Sequence, residues 1–121
     1  MMGVMSGFSG NVVGIQATGQ ITRDDYEKVL VPAVDETIAR HGKVRLYYQI
    51  GPNFSGIDPG AAFQDFKVGM EHFTQWERVA VVTDVDWIRH SVRAFGFLMP
   101  IKMETFSIAE ADKAREWIGA A

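Results

Sequence analysis

A chain of 121 residues with 47% hydrophobic content fits one globular domain, 1–121, large enough to bury a core without covalent staples. With no cysteine it forms no disulfide, thiolate metal site or cysteine nucleophile. A net charge of −3 argues against nucleic acid as a general partner, because affinity for a polyanion draws on clustered Lys and Arg.

The first residues, MMGVMSGFSGN, have neither a positive region nor a long apolar core, so no signal peptide is expected and a cytoplasmic location is. No apolar run reaches the roughly 18 residues of a membrane span. Val4–Phe8 and Val12–Ala17 read as two strands joined by the turn residues Ser9, Gly10 and Asn11, although Gly14 packs nothing in a strand. Thr22 with Asp25 resembles a capping box, and the helix it opens carries Tyr26, Leu30, Val34 and Ile38 on one face. Pro32 should kink that helix, and Gly42 should stop it.

Val44–Ile50 is the next strand, followed by a loop over 49–60, QIGPNFSGIDPG. A second helix is expected from Ala61, with Ala62, Phe63, Phe66, Met70 and Phe73 as its stripe. Arg78–Thr83 contains VAVV, which suits a strand covered on both faces. DVDWIRHSVRAFGFL then reads as a helix starting near Asp84 or Asp86, and Ile101–Phe106 as a last strand. Ser107 and Glu110 form a full capping box for a final helix running to about Ile118. The order β-β-α-β-α-β-α-β-α implies right-handed crossovers and an α/β domain: a five-stranded mixed, mostly parallel sheet with four helices.

No dinucleotide, P-loop, zinc-protease or nucleophile-elbow motif occurs. Gly56 and Gly60 before a helix offer anion-binding geometry, which water fills at most helix starts. His41, His72 and His90 fall on three elements and read as surface or boundary residues, not a metal triad. His90 and Ser91 are adjacent on a helix, hence about 100° apart and poorly aimed as a base and nucleophile. No metal, cofactor or catalytic set is therefore expected. Arg89 and Arg93, one turn apart, are suited to grip a carboxylate or phosphate, or merely to face solvent. AFGFLM, residues 94–99, is apolar all round and should partly cover a partner subunit or line an apolar pocket.

The segments DFKVGMEHFTQWERVAVVTD, residues 65–84, and FSIAEADKAREWI, residues 106–118, together with VRLYYQI, resemble the SpoIIAA-like proteins over nearly the whole chain. These are small bacterial α/β domains related to the STAS anti-sigma-factor antagonists and, more distantly, to CRAL-TRIO lipid-transfer domains. The resemblance implies a sheet with helices, no cofactor and no catalysis. STAS antagonists carry a phosphorylatable serine after an Asp at a helix start. The corresponding place here is Ile57-Asp58-Pro59-Gly60, with Pro59 where the hydroxyl would stand and Ser55 three residues before Asp58. The reading is a non-enzymatic domain that binds a protein partner or itself as a homodimer, through Phe54, Ser55, Asp58, Gly60, Trp87, Arg89 and Arg93. The alternative is a carrier of an apolar, lipid-like molecule, with Phe54, Phe63, Phe66, Phe95, Phe97 and Met99 lining a pocket and Arg89 or Arg93 on a head group. Either way, the fifties loop and the eighties helix should meet at one rim, at the carboxyl ends of the strands.

Overall fold

The computed structural model describes residues 1–61, 67, 71, 74–98 and 101–121. Seven strands are described: β1 Met2–Met5, β2 Val12–Ala17, β3 Gln20–Ile21, β4 Val44–Ile50, β5 Gly56–Ile57, β6 Trp76–Val82 and β7 Lys102–Phe106. Five of them form one sheet in the order β1-β2-β4-β6-β7. β1 is antiparallel to β2, and every other neighbouring pair is parallel. The expected mixed, mostly parallel α/β sheet with four helices is the fold. β3 and β5 make a separate parallel pair, Gln20 against Gly56 and Ile21 against Ile57, and β5 lies inside the 49–60 stretch that reads from sequence as a loop.

The helices start and stop where their caps are. Thr22 and Asp25 bond reciprocally, Asp25 N–H to Thr22 Oγ1 at 3.2 Å and Thr22 N–H to Asp25 Oδ2 at 2.9 Å, and open α1, Arg23–Asp25. A π-turn over Tyr26–Leu30 follows, then α2, Val31–His41. Proline lacks an N–H and its ring crowds the carbonyl four residues back. The chain meets Pro32 by widening the preceding turn, so that Val31 N–H donates to Tyr26 O. This replaces the kinked α-helix expected there. Gly42 ends α2 at φ 76°, donating to Ile38 O at 2.7 Å. Helical backbone at 59–61, 67 and 71 lies where the second helix was expected, whose apolar stripe from Ala62 to Phe73 falls outside the described residues. α3 is Asp86–Leu98, and α4, Ala111–Gly119, follows a 3₁₀ turn capped by Ser107 and Glu110.

β1 sits two residues earlier than its sequence pattern suggests. Phe8 turns back after Gly7, at φ 92°, and lays its ring over Gly14, where a Cβ would come within 2.3 Å of it. Gly14 is thus a seat for an aromatic ring, not a weak point of β2.

Side chains alternate along each strand between two apolar clusters. On one face Tyr47, Ala80 and Val82 meet Ala114 and Ile118 of α4. Phe8 stacks 4.9 Å from Tyr47, and the Arg115 guanidinium lies 4.6 Å above Phe8 and 5.4 Å from Tyr47. The Tyr47 hydroxyl, raised above its usual range by burial against the pull of Arg115, donates to Gln49 Oε1. On the other face Ile15, Leu46, Tyr48, Val79 and Val81 meet Tyr26, Leu30, Val34 and Ile88.

A bulge sets which face Trp76 joins. The β4–β6 register pairs Val44 with Trp76 and Arg45 with Arg78, skipping Glu77. Without the skip, Trp76 would alternate onto the α4 face with Arg78 and Ala80; with it, Trp76 packs among Val79 and Val81. Glu77 accepts hydrogen bonds from Asn11 Nδ2 at 2.7 Å and Arg45 Nε at 3.0 Å, and Lys43 Nζ lies 3.3 Å away. The Asn11 bond, with Arg45 and Lys43, outweighs desolvation and holds the carboxyl at about 2.

Candidate functional site

The face of the sheet opposite α4 carries the larger apolar cluster. Between it and α3 lies a cavity of about 380 Å³, within the range of small-molecule sites. Its floor is Leu46, Tyr48 and Ile50 of β4, Trp76, Val79 and Val81 of β6, and Met103 of β7. Trp87, Ser91, Val92 and Phe95 of α3 cover one side, and Tyr26 and Leu30 of the π-turn another. Ile57, on β5, reaches the same space.

The described lining is apolar apart from three hydroxyls and two indole N–H groups. Tyr26 and Tyr48 hydroxyls lie 2.9 Å apart, buried and hydrogen-bonded to each other. Ser91 Oγ turns back to Trp87 O at 2.8 Å. Trp76 is only 9% exposed, and its indole nitrogen is, among the described residues, the one buried side-chain nitrogen or oxygen with no partner. A buried Trp N–H ordinarily finds an acceptor.

The fifties and the eighties do meet at the carboxyl-end rim: the Phe54 and Trp87 rings lie 6.0 Å apart. Phe54 is half-buried and packs on the core, and Trp87 is 54% exposed yet lines the cavity. Phe95 lines it as well. Phe97, 92% exposed, turns away from it, because on α3 it sits two positions from Phe95 and therefore on the opposite side. Phe63, Phe66 and Met99 lie outside the described residues. Arg89 and Arg93 are not among the lining residues, so neither is placed to hold a head group inside. Arg93 is exposed, and Arg89 lies near Glu110.

Ser55 is exposed and its N–H donates to Gly19 O at 2.9 Å. Asp58 N–H donates to Ile21 O at 2.9 Å, and the Asp58 carboxylate accepts from Gln20 Nε2. Gly60 faces the stem of Arg23. Ser55 and Asp58 are tied to the small β3–β5 ladder, Gly60 packs on α1, and none of the three lines the cavity. Among the described residues no three His, Asp or Glu gather as a metal site, and no helix is long and apolar enough to cross a membrane.

Sequence reasoning missed Tyr26, Tyr48 and Trp76 as site residues. The first two sit at regular core positions of a helix and a strand, and nothing local marks them out. Trp76 reaches the cavity only through the bulge.

The chain matches the family model described as SpoIIAA-like over residues 12–119. A solved structure with the same fold is that of an uncharacterized protein of the DUF3478 family, with a SpoIIAA-like fold, from Shewanella loihica PV-4. It shares 20% identity at a TM-score of 0.76, over 98% of this chain and 92% of that one, a likeness of fold. No curated protein matches.

Proposed function

Because the chain belongs to the SpoIIAA-like family, whose fold alone assigns no chemistry, we propose its function from the site: a binding domain that houses an apolar small molecule and does not transform it. The observation that carries this is the cavity of about 380 Å³ on one face of the sheet, lined by aliphatic and aromatic side chains. A space of that volume is about a dozen water molecules' worth, far above the voids of an ordinary core. Water gains little in an apolar chamber, whereas an apolar occupant buries its surface there at roughly 25 cal/mol per Å².

The test is a fluorescence titration with N-phenyl-1-naphthylamine, an uncharged apolar probe. Saturable one-to-one enhancement is expected, and Val92→Phe, which puts a ring into the space, should weaken it at least tenfold, or about 1.4 kcal/mol. The variant should melt no lower than the parent. Absence of saturable enhancement, or an unchanged affinity in the variant, removes the reading.

A second reading has its own observation. Phe97 and Leu98 are 92% and 79% exposed at the end of α3. Such residues fit a protein partner or a second copy. Phe97→Ser with Leu98→Ser would then abolish any concentration-dependent association in analytical ultracentrifugation; a parent that stays monomeric at high concentration removes self-association.

A further inference from the structure

We propose a second site, apart from the apolar cavity: a groove beside β1 that binds the carboxylate or phosphate group of a small polar molecule on the Arg115 guanidinium. The groove, of about 570 Å³, is lined by residues 1–6, Gln16, Thr18 and Arg115. Arg115 is the one charged side chain among these described lining residues. Its guanidinium is held in place by the fold itself. It lies 4.6 Å from the Phe8 ring and 5.4 Å from the Tyr47 ring, and a Cβ on Gly7 would stand 3.4 Å from its Nη1. Phe8 is fixed in turn by its seat over Gly14. A guanidinium stacked in this way loses little freedom on binding and keeps edge donors for a planar anion. Asp112 and Glu116 are close to Arg115 in sequence, yet no carboxylate among the described residues forms an ion pair with it.

The polar wall of the groove follows from strand alternation. Gly14 lies under Phe8, so Gln16, two residues on, is on the same side of the sheet, and Gly3, paired with Gln16, shares it. Gln16 and Gly3 are both exposed, so this side of the sheet is covered at Gly14 and open beyond it. A Cβ on Gly3 would meet nothing within 4 Å, which leaves bare backbone as the floor. The Gln16 amide and the Ser6 and Thr18 hydroxyls can donate or accept, and suit a polar body better than a hydrocarbon chain. The Met1 ammonium, at the same groove, is engaged by Thr18 O, Gln20 O and the Asp25 carboxylate, the last at 3.4 Å. Arg115 is therefore the cation left to meet a ligand. A guanidinium has donors and no acceptor, so the group it takes is an anion.

The experiment follows the arginine Nε–H resonances in ¹H–¹⁵N spectra at pH 7 and constant ionic strength while monobutyl phosphate, butyrate or butanol is added. Arg115→Lys assigns the Arg115 signal. A saturable shift of that signal is expected with at least one of the two anions and none with butanol; which anion binds more tightly identifies the group the site takes. Arg115→Met should weaken the binding about tenfold, and Arg115→Lys, which keeps the charge without the fork, should restore only part of it. Phe8→Leu should weaken it about threefold with the charge unchanged, because the stacked pose is lost. Arg40→Met, an exposed arginine paired with Glu36 on α2, should change nothing. If neither anion moves the Arg115 signal more than the same concentration of sodium chloride does, or if Arg115→Met binds as tightly as the parent, the proposal is overturned. Should Arg115→Met not fold, the comparison with chloride on the parent protein still decides. The naphthylamine titration reports on the other site and is expected to be the same in all these variants.

Discussion

Val81 and Val82 are neighbours on β6, both buried, and face opposite sides of the same sheet. Val82 packs under α4 in a layer where Phe8, Tyr47 and Arg115 stack without a gap between ring and guanidinium. Val81 looks into the hollow beneath α3. The hollow is not a shortage of apolar residues, since its side of the sheet carries the larger cluster. Its described lining is drawn from separate elements, the strands of the floor, α3 and the π-turn. One face has been closed by interlocking, while the other keeps its volume.

The sharpest way to break the closed face is at Gly14. Gly14→Ala drives the Phe8 ring off its seat and should cost about 2 kcal/mol in urea unfolding. In the Phe8→Ala background the same change should cost under about 0.5 kcal/mol, because the two residues act as one unit. Equal costs in both backgrounds would deny the seat.

A matched pair then compares the faces directly. Val82→Ala should cost about 2 kcal/mol and Val81→Ala about 1 kcal/mol, because Val81 already lacks neighbours on its cavity side. Saturating N-phenyl-1-naphthylamine should widen the Val81 cost and leave the Val82 cost alone. Equal losses without ligand would mean that the hollow is already packed.

Glu77 links the two faces through the bulge. Its carboxyl is held at about 2, below the ordinary 4.5. A depressed carboxyl stabilises the fold fully above the ordinary value, and that contribution is lost as pH falls from 4.5 toward 2. Glu77→Gln should lower stability at pH 7 by about 1 kcal/mol and flatten the acid limb of the stability curve over that window. An unchanged acid limb would place the bulge's support elsewhere. The smallest effect is expected at Arg115→Met, about 0.5–1 kcal/mol, from loss of the cation over Phe8 and Tyr47 with the stem's packing kept.

What the sequence makes legible here is whatever is settled within a few residues. Thr22 with Asp25, Gly42, and Ser107 with Glu110 mark helix ends, because a cap reads only its own turn. VAVV marks a strand covered on both sides. The misses are all made by distant partners. Glu77 bulges against Asn11 and Arg45, which lie 66 and 32 positions away. Phe8 needs Tyr47 and Arg115 to hold its folded-back pose. The Arg89 and Arg93 pair has the right chemistry for a head group, but the turn of α3 keeps both off the lining. A cavity belongs to no segment at all; it is the space that separate elements leave between them.

The wide turn ahead of Pro32 also alters the counting along that stretch. Tyr26, Leu30 and Val34 follow one another at intervals of four, and in a uniform α-helix each such step over-rotates by about 40°. The π-turn absorbs one residue and brings all three back toward the sheet, which is how Tyr26 comes within reach of Tyr48. A chain that crossed the same span as a uniform α-helix would do so with one residue fewer. Matched position by position, the two chains would fall out of step at the tyrosine.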